Sequence, residues 1–373
     1  MAKRVLHLIA AARPNFMKVA PLYHALCRAS ETSWAQPLII HTGQHYDHAM
    51  SDAFFADLRL PPPHANLEIG SGSHAEQTGR VMIAYERYCL EHRPDWVIVV
   101  GDVNSTLACG IVAKKLELPV AHLEAGIRSG DRSMPEEINR IATDAIADLL
   151  WTPTEEATDN LRHEGQPAAR VEHVGNVMID SFELLRAKIE ATPVAAEFGL
   201  GADFAVVTLH RPANVDRREP LAQIVDALVR TAQRMPLVFA VHPRTEARLA
   251  EFGLAERLTR TPAIRMTGPM GYVRFMALVR PARLVITDSG SIQGETSHLG
   301  IPCLTLRDTT EWPITLTQGT NRLLAAHDLA SAVDAVLAAP KPAPAKLPLW
   351  DGRAAERVVA SLRRACSIGD ASA

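Results

Sequence analysis

Residues 96–108 read Trp-Val-Ile-Val-Val-Gly-Asp-Val-Asn-Ser-Thr-Leu-Ala. The apolar run from Trp96 to Val100 stops at a Gly-Asp turn and gives way to a helical stripe of Leu107, Ala108, Ile111 and Val112. A run that is apolar on both faces predicts a strand buried in a parallel sheet. Asn104 or Ser105 is placed to cap the helix that follows. The same unit recurs along the chain. Arg4–Ala10, Pro37–His41, Val120–Leu123 and Leu149–Trp151 are further strand candidates of the first half. Val171–Val174, Ala205–Leu209, Leu237–Val241, Ile264–Met266, Leu284–Thr287 and Cys303–Leu306 are those of the second. Strand alternating with helix, twice over, predicts an α/β protein of two Rossmann-like, doubly wound domains. Gly165-Gln-Pro and the stretch from Ala191 to Gly201 both suit the boundary; the first gives domains 1–168 and 169–352. Pro340-Lys-Pro-Ala-Pro reads as an extended linker before a last helix, Arg353–Cys366.

The composition narrows the function. The chain has 373 residues, 39 Lys and Arg against 42 Asp and Glu, and a formal net charge of −3. Such a balance gives no electrostatic drive toward nucleic acid or an anionic membrane. The apolar runs fall far short of the ~20 residues a membrane span requires. No signal-peptide pattern opens the sequence, and Cys27, Cys89, Cys109, Cys303 and Cys366 are scattered and odd in number. A cytoplasmic protein without a disulfide framework is the economical expectation.

Polar residues cluster where the strands end. Arg13-Pro14, Thr42-Gly43-Gln44-His45, Gly101-Asp102 and Glu124-Ala125-Gly126 follow strands of the first half. His210-Arg211-Pro212, His242-Pro243-Arg244, Thr267-Gly268 and Thr287-Asp288-Ser289-Gly290-Ser291 follow strands of the second. Open parallel sheets bind ligands beyond the carboxyl ends of their strands, so two such ends predict a cleft between domains. Asp102, Glu124 and Glu136 put three carboxylates in the first domain, the usual equipment for moving protons at neutral pH. Glu136 also suits a helix N-terminus with an i,i+4 partner in Arg140, and Asp102 also suits a turn cap. Ser289-Gly290-Ser291 opens a helix whose free N–H groups suit a pyrophosphate, or whose N-cap is Ser289. Tyr272 and Phe275 begin another helix, either as core or as a surface for a nucleobase. His41, His45 and His48 read as loop histidines rather than as a metal site.

The residues that carry chemistry resemble, in order, those of the non-hydrolysing UDP-N-acetylglucosamine 2-epimerases. The carriers are Ala-Arg-Pro-Asn-Phe-Met-Lys-Val-Ala-Pro (12–21), Thr-Gly-Gln-His-Tyr-Asp (42–47), Ala-Glu-Gln-Thr-Gly-Arg (75–80) and Gly-Asp-Val-Asn-Ser-Thr (101–106). They continue through His-Leu-Glu-Ala-Gly-Ile-Arg-Ser-Gly (122–130), Pro-Glu-Glu-Ile-Asn-Arg (135–140) and Thr-Leu-His-Arg-Pro-Ala-Asn-Val-Asp (208–216). Thr-Asp-Ser-Gly-Ser-Ile-Gln (287–293) and Leu-Arg-Asp-Thr-Thr-Glu (306–311) complete them. The resemblance implies a GT-B-type fold with the last helix, 353–373, returning to the first domain, a homodimer, and neither metal nor nicotinamide cofactor. It implies epimerisation at C2 of UDP-N-acetylglucosamine through UDP elimination to 2-acetamidoglucal and re-addition, in the service of bacterial surface polysaccharide.

Carried over by motif, Asp102, Glu124 and Glu136 transfer protons and His210 assists at the leaving phosphate. Arg13, Lys18 and Arg140 hold the diphosphate or the carboxylates. Ser289, Gly290 and Ser291 cradle phosphate, and Glu295 takes the ribose hydroxyls. His242, Arg244, Tyr272 and Phe275 complete the UDP site, while Gln44, His45 and Arg211 suit a second, activating site. Four positions depart from the family pattern: Ala11-Ala12 for Gly-Thr, Pro212-Ala213 within the His-Arg motif, Gly294 before Glu295, and Trp312 for an arginine after Glu311. Three other functions share parts of the pattern: a glycosyltransferase of the same fold, a hydrolysing epimerase, and a UDP-sugar sensor without turnover.

Overall fold

The computed structural model describes residues 3–29, 34–43, 55–201 and 203–371, without the side chains of Arg13, Ala29 and residues 368–371. Among the described residues, thirteen strands form two sheets. The first holds β1 (Arg4–Ala10), β2 (Ala35–His41), β3 (Ala65–Asn66), β4 (Trp96–Val100), β5 (Val120–Leu123), β6 (Leu149–Thr152) and β7 (Val171–His173). The second holds β8 (Ala205–Thr208), β9 (Leu237–Ala240), β10 (Ile264–Thr267), β11 (Leu284–Thr287), β12 (Cys303–Thr305) and β13 (Asn321–Leu323). Their spatial orders are β3-β2-β1-β4-β5-β6-β7 and β10-β9-β8-β11-β12-β13, and the paired strands run parallel, as in β1 with β4 and β8 with β11. Each sheet therefore reverses direction once, between β1 and β4 in the first and between β8 and β11 in the second. Such a switch point leaves a crevice at the carboxyl edge of the sheet.

The chain divides into two compact units, Met1–Leu184 with Pro348–Ala373, and Leu185–Leu347. The division falls later than residue 168 because β7, expected among the strands of the second half, pairs with β6 (Leu150↔Val171, Thr152↔His173) and finishes the first sheet. The strands β3 and β13, at the outer edges, are too short to show a periodic signal in the sequence.

Central strands are buried throughout: Val97–Val100 and Leu284–Thr287 lie at or below 1% exposure. Each fully buried Val, Leu or Ile contributes about 1.5–3 kcal/mol of transfer free energy, which is why such runs sit in the middle of a sheet covered on both faces. Local chemistry sets the helix ends. Ser73 and Glu76 form a reciprocal capping box before the helix His74–Glu91. Pro135 takes the first position of the helix Pro135–Ile146, with Glu136 and Glu137 in its first turn. Gly300 ends the helix Ser291–Leu299 in the left-handed conformation. The helix Asn104–Lys115 starts one residue earlier than a cap at Asn104 or Ser105 allows, because Val103 is its N-cap and no side chain caps it. The last helix, Ala354–Ala371, belongs to the first unit. Asp180 accepts from the amides of Ala354 (3.1 Å) and Ala355 (2.8 Å), and the Trp151 indole donates to Ser361 at 2.9 Å.

Candidate active site

In the first unit the polar residues gather at the switch point between β1 and β4. Asn15, in the helix that follows β1, accepts from the Ala12 amide at 3.1 Å and donates to the Val100 carbonyl at 3.1 Å, tying the two strand ends together. One helical turn on, the Lys18 ammonium donates to Oε2 of Glu124. Burial works against charge on Lys18, yet Glu124 and Asp102 more than offset it, and the lysine holds its proton more tightly than usual. Glu124 is 5% exposed, and its other oxygen, Oε1, is buried without a hydrogen-bond partner. Its backbone has φ +74°, left-handed for a residue that is not glycine, a conformation that costs about 1–3 kcal/mol and persists only where the surroundings impose it. Gly101 completes the wall: a Cβ there would stand 3.1 Å from Lys18 Nζ and 3.7 Å from Glu124 Oε2.

Arg140 organises the neighbouring carboxylates. It is 4% exposed and donates from Nη1 to Oδ2 of Asp102 at 2.5 Å, while Nη2 and Nε reach Oε2 of Glu137 at 2.6 and 3.0 Å. Burial pushes the Glu137 carboxyl up, but the Ser129 amide, the Arg140 guanidinium and the Gly130 amide hold it below the usual carboxylate range. The i,i+4 pair of Glu136 with Arg140 does not form, because Asp102 and Glu137 occupy the guanidinium. Glu136 is half-buried and has no side-chain partner among the described residues.

The second unit repeats the plan between β8 and β11. Asp288 is fully buried and accepts from the amides of His210 (3.0 Å) and Arg211 (2.9 Å) and from Asn214 Nδ2 (3.0 Å). Burial pushes this carboxyl up, but His210, 3.2 Å away through Nδ1, and the other donors bring it below its usual range. His242 lies beside His210, their ring centroids 5.5 Å apart. Burial, His210 and Arg244 all lower its proton affinity. Arg244 is exposed and bound to Asp216.

The Ser289-Gly290-Ser291 turn opens the helix Ser291–Leu299 with Gly290, not Ser289, at the N-cap and no side-chain cap. A Cβ on Gly290 would lie 3.2 Å from Oε2 of Glu311 and 3.8 Å from the Trp312 indole nitrogen. Glu311 is gripped bidentately by Arg307 at 2.7 and 2.8 Å and approached by Arg211 at 3.5 Å. Trp312 is thus buried beside the serine turn. One helical turn inside, Glu295 accepts from the Tyr272 hydroxyl at 2.5 Å; burial raises its carboxyl to about 7, with that hydrogen bond pulling the other way. Phe275 is half-buried on the helix Tyr272–Val279 that carries Tyr272.

Among the sequence candidates, Lys18 joins Glu124, Arg140 joins Asp102, Tyr272 joins Glu295, and His210 stands beside His242. Arg211, expected at a second site, touches Glu311 and the Asp288 turn; Gln44, His45 and the side chain of Arg13 lie outside the described residues. Sequence reasoning missed Asn15, Glu137, Asp144 and Asp288, all buried polar residues within or beside the quoted motifs. Their signal was position alone, since a buried acid and an exposed one read alike. Among the described residues no group of three His, Cys, Asp or Glu side chains is arranged to hold a metal ion, and no helix is long and apolar enough to cross a membrane.

A family model described as UDP-N-acetylglucosamine 2-epimerase matches residues 28–363. The UDP-N-acetylglucosamine 2-epimerase of Methanocaldococcus jannaschii is 41% identical over 362 residues, 95% of this chain and 97% of that one. A Pseudomonas aeruginosa relative, UDP-2,3-diacetamido-2,3-dideoxy-D-glucuronate 2-epimerase, is 41% identical over 325 residues, 86% of this chain and 88% of its own. The crystal structure of the M. jannaschii enzyme in complex with UDP-GlcNAc and UDP aligns with a TM-score of 0.87 over 96% of this chain and 99% of the other. The two switch-point sheets are thus those of a GT-B-like fold, and the chain belongs to the UDP-N-acetylglucosamine 2-epimerase family.

Proposed function

We propose that the protein interconverts UDP-N-acetylglucosamine and UDP-N-acetylmannosamine without hydrolysis. A carboxylate takes the C2 proton, the C1–O bond breaks with its electron pair leaving on UDP, and a C1=C2 double bond forms 2-acetamidoglucal. UDP then adds back to C1 while a proton reaches C2 from the opposite face. Asp102, Glu124 and Glu136 transfer the protons. Lys18 and Arg140, each engaged with one of these acids, hold them in place. His210 assists at the departing phosphate; Ser289, Gly290 and Ser291 cradle the diphosphate together with His242, Arg244 and Arg13. Glu295 takes the ribose hydroxyls, and Tyr272 and Phe275 flank the base.

Glu124 is the observation that carries this reading. A structural acid would be satisfied at both oxygens, whereas this one is buried, clamped at Oε2 by Lys18, unpartnered at Oε1 and held on a strained backbone. Incubation with UDP-N-acetylglucosamine in deuterated water tests it. UDP-N-acetylmannosamine carrying deuterium at C2 is the expected product. Free N-acetylmannosamine with UDP, transfer to an acceptor, or silence would each replace the reading with one of the competing functions.

A second sugar also has support in the relatives, since the P. aeruginosa protein matches the 41% identity of the M. jannaschii protein, though over 325 residues against 362. The uronate differs by a second acetamido group and a carboxylate, so parallel assays of the two UDP-sugars assign the substrate by kcat/KM. The same reading carries a cytoplasmic homodimer whose product feeds surface polysaccharide. Ile83 and Leu90, 57% and 68% exposed and seven residues apart on the helix His74–Glu91, support self-association; sedimentation decides it.

A further inference from the structure

We propose that His122 and Asp144 form a buried positioning pair that sets the geometry of the two turns bearing Asp102 and Glu124. The proposal rests on the epimerase reading for its kinetic consequences, but its geometry stands alone. His122, in β5, and Asp144, in the helix Pro135–Ile146, are both fully buried. His122 Nε2 faces the Gly101 carbonyl at 2.8 Å, and Nδ1 faces Oδ1 of Asp144 at 2.6 Å. Oδ2 of Asp144 accepts from the Gly126 amide at 3.0 Å and meets Arg128 at 2.8 Å.

One side of this pair therefore holds the carbonyl immediately before Asp102. The other holds the amide two residues after Glu124. Both anchored glycines have left-handed backbones, with φ +69° at Gly101 and +78° at Gly126, and Glu124 between them has φ +74°. A carbonyl oxygen only accepts, and a carboxylate gripped by an arginine and an amide also accepts. Both ring nitrogens of His122 therefore face acceptors, the Gly101 carbonyl and the Asp144 carboxylate. An apolar pair of similar volume would stabilise the fold as well as this buried polar pair does. What the polar pair adds is directional contacts to turns that carry reacting groups. A shift of the order of 1 Å in such groups costs about 10²-fold in rate.

The test uses the full chain. Turnover of the unaltered enzyme is measured first, so that failure of the epimerase reading shows as a silent parent. His122→Gln and Asp144→Asn are then compared with it for kcat, KM, UDP affinity and thermal midpoint. The expected result is a fall in kcat of about 10²-fold in folded protein, with KM within about threefold and UDP affinity unchanged. Full kcat in either folded variant, or a loss matching the unfolded fraction, overturns the proposal. The conservative variant Asp144→Glu is read beside them. A kcat above that of Asp144→Asn supports the pair, and a kcat no higher than that of Asp144→Asn in folded protein overturns it.

Discussion

Glu295→Gln is expected to stabilise the protein while weakening its hold on the nucleotide, by amounts that change with pH. Glu295 is 3% exposed, and burial raises its carboxyl from 4.5 to about 7 despite the hydrogen bond from Tyr272. Between those values the folded chain keeps a proton that the unfolded chain has released. Stability therefore falls as pH rises through this window and levels off above pH 7. At about 1.4 kcal/mol per pH unit the effect reaches about 3 kcal/mol. Glutamine keeps the shape and the acceptor for the Tyr272 hydroxyl but never ionises. The variant is expected to exceed the parent by about 1 kcal/mol at pH 5 and about 3 kcal/mol at pH 8.

Urea unfolding of both chains at pH 5, 6, 7 and 8 reads this difference, and uridine binding reads the cost in function. Uridine is the better probe because it has no phosphate to titrate. If the ionised carboxylate takes the ribose hydroxyls, uridine affinity of the parent rises about tenfold from pH 6 to pH 8, following the ionised fraction. The glutamine variant binds weakly and without that slope. A stability difference that stays constant across pH would refute the buried titration. Flat uridine binding by the parent would refute the ribose role.

Asp102→Asn is expected to fold normally and to lose turnover by at least ~10²-fold, measured by C2 deuterium incorporation; near-normal exchange removes Asp102 from the mechanism. Gly126→Ala is expected to lower stability by at least about 2 kcal/mol. Its Cβ would run into the Ala157 carbonyl and its φ is +78°, so an unchanged unfolding midpoint would contradict that geometry.

The fold was legible because its central strands are apolar on both faces. β1, β4, β5 and β11 fall where the runs Arg4–Ala10, Trp96–Val100, Val120–Leu123 and Leu284–Thr287 place them. Legibility fails at the edges, for a physical reason. β3, β7 and β13 are two or three residues long, too short for the two-residue strand period to repeat, and their sheet membership is decided by tertiary contacts. The expectation that Val171–Val174 belongs with the strands of the second half is an instance. The site was legible as residue types at strand ends and illegible as pairings. Nothing in Pro-Glu-Glu-Ile-Asn-Arg indicates that Arg140 turns to Glu137 and Asp102 instead of Glu136.

Those pairings separate the acids into two groups by a criterion that sequence cannot express. Glu137, Asp144, Asp180, Asp288 and Glu311 have both oxygens engaged by amides, arginines or a histidine. A carboxylate so satisfied would have to give up a charge-assisted bond of about 1.5–3 kcal/mol to receive a proton or a ligand, so these five shape the backbone. Asp102, Glu124 and Glu295 are engaged at one oxygen only, by Arg140, Lys18 and Tyr272, and Glu136 at neither, among the described residues. Their free oxygens can meet a substrate at no such cost, while the single anchored oxygen fixes direction. Under the proposed reading, incomplete satisfaction is what fits each of these acids, within its own unit, to meet a ligand: Lys18, Arg140 and Tyr272 each occupy one oxygen and leave the other open.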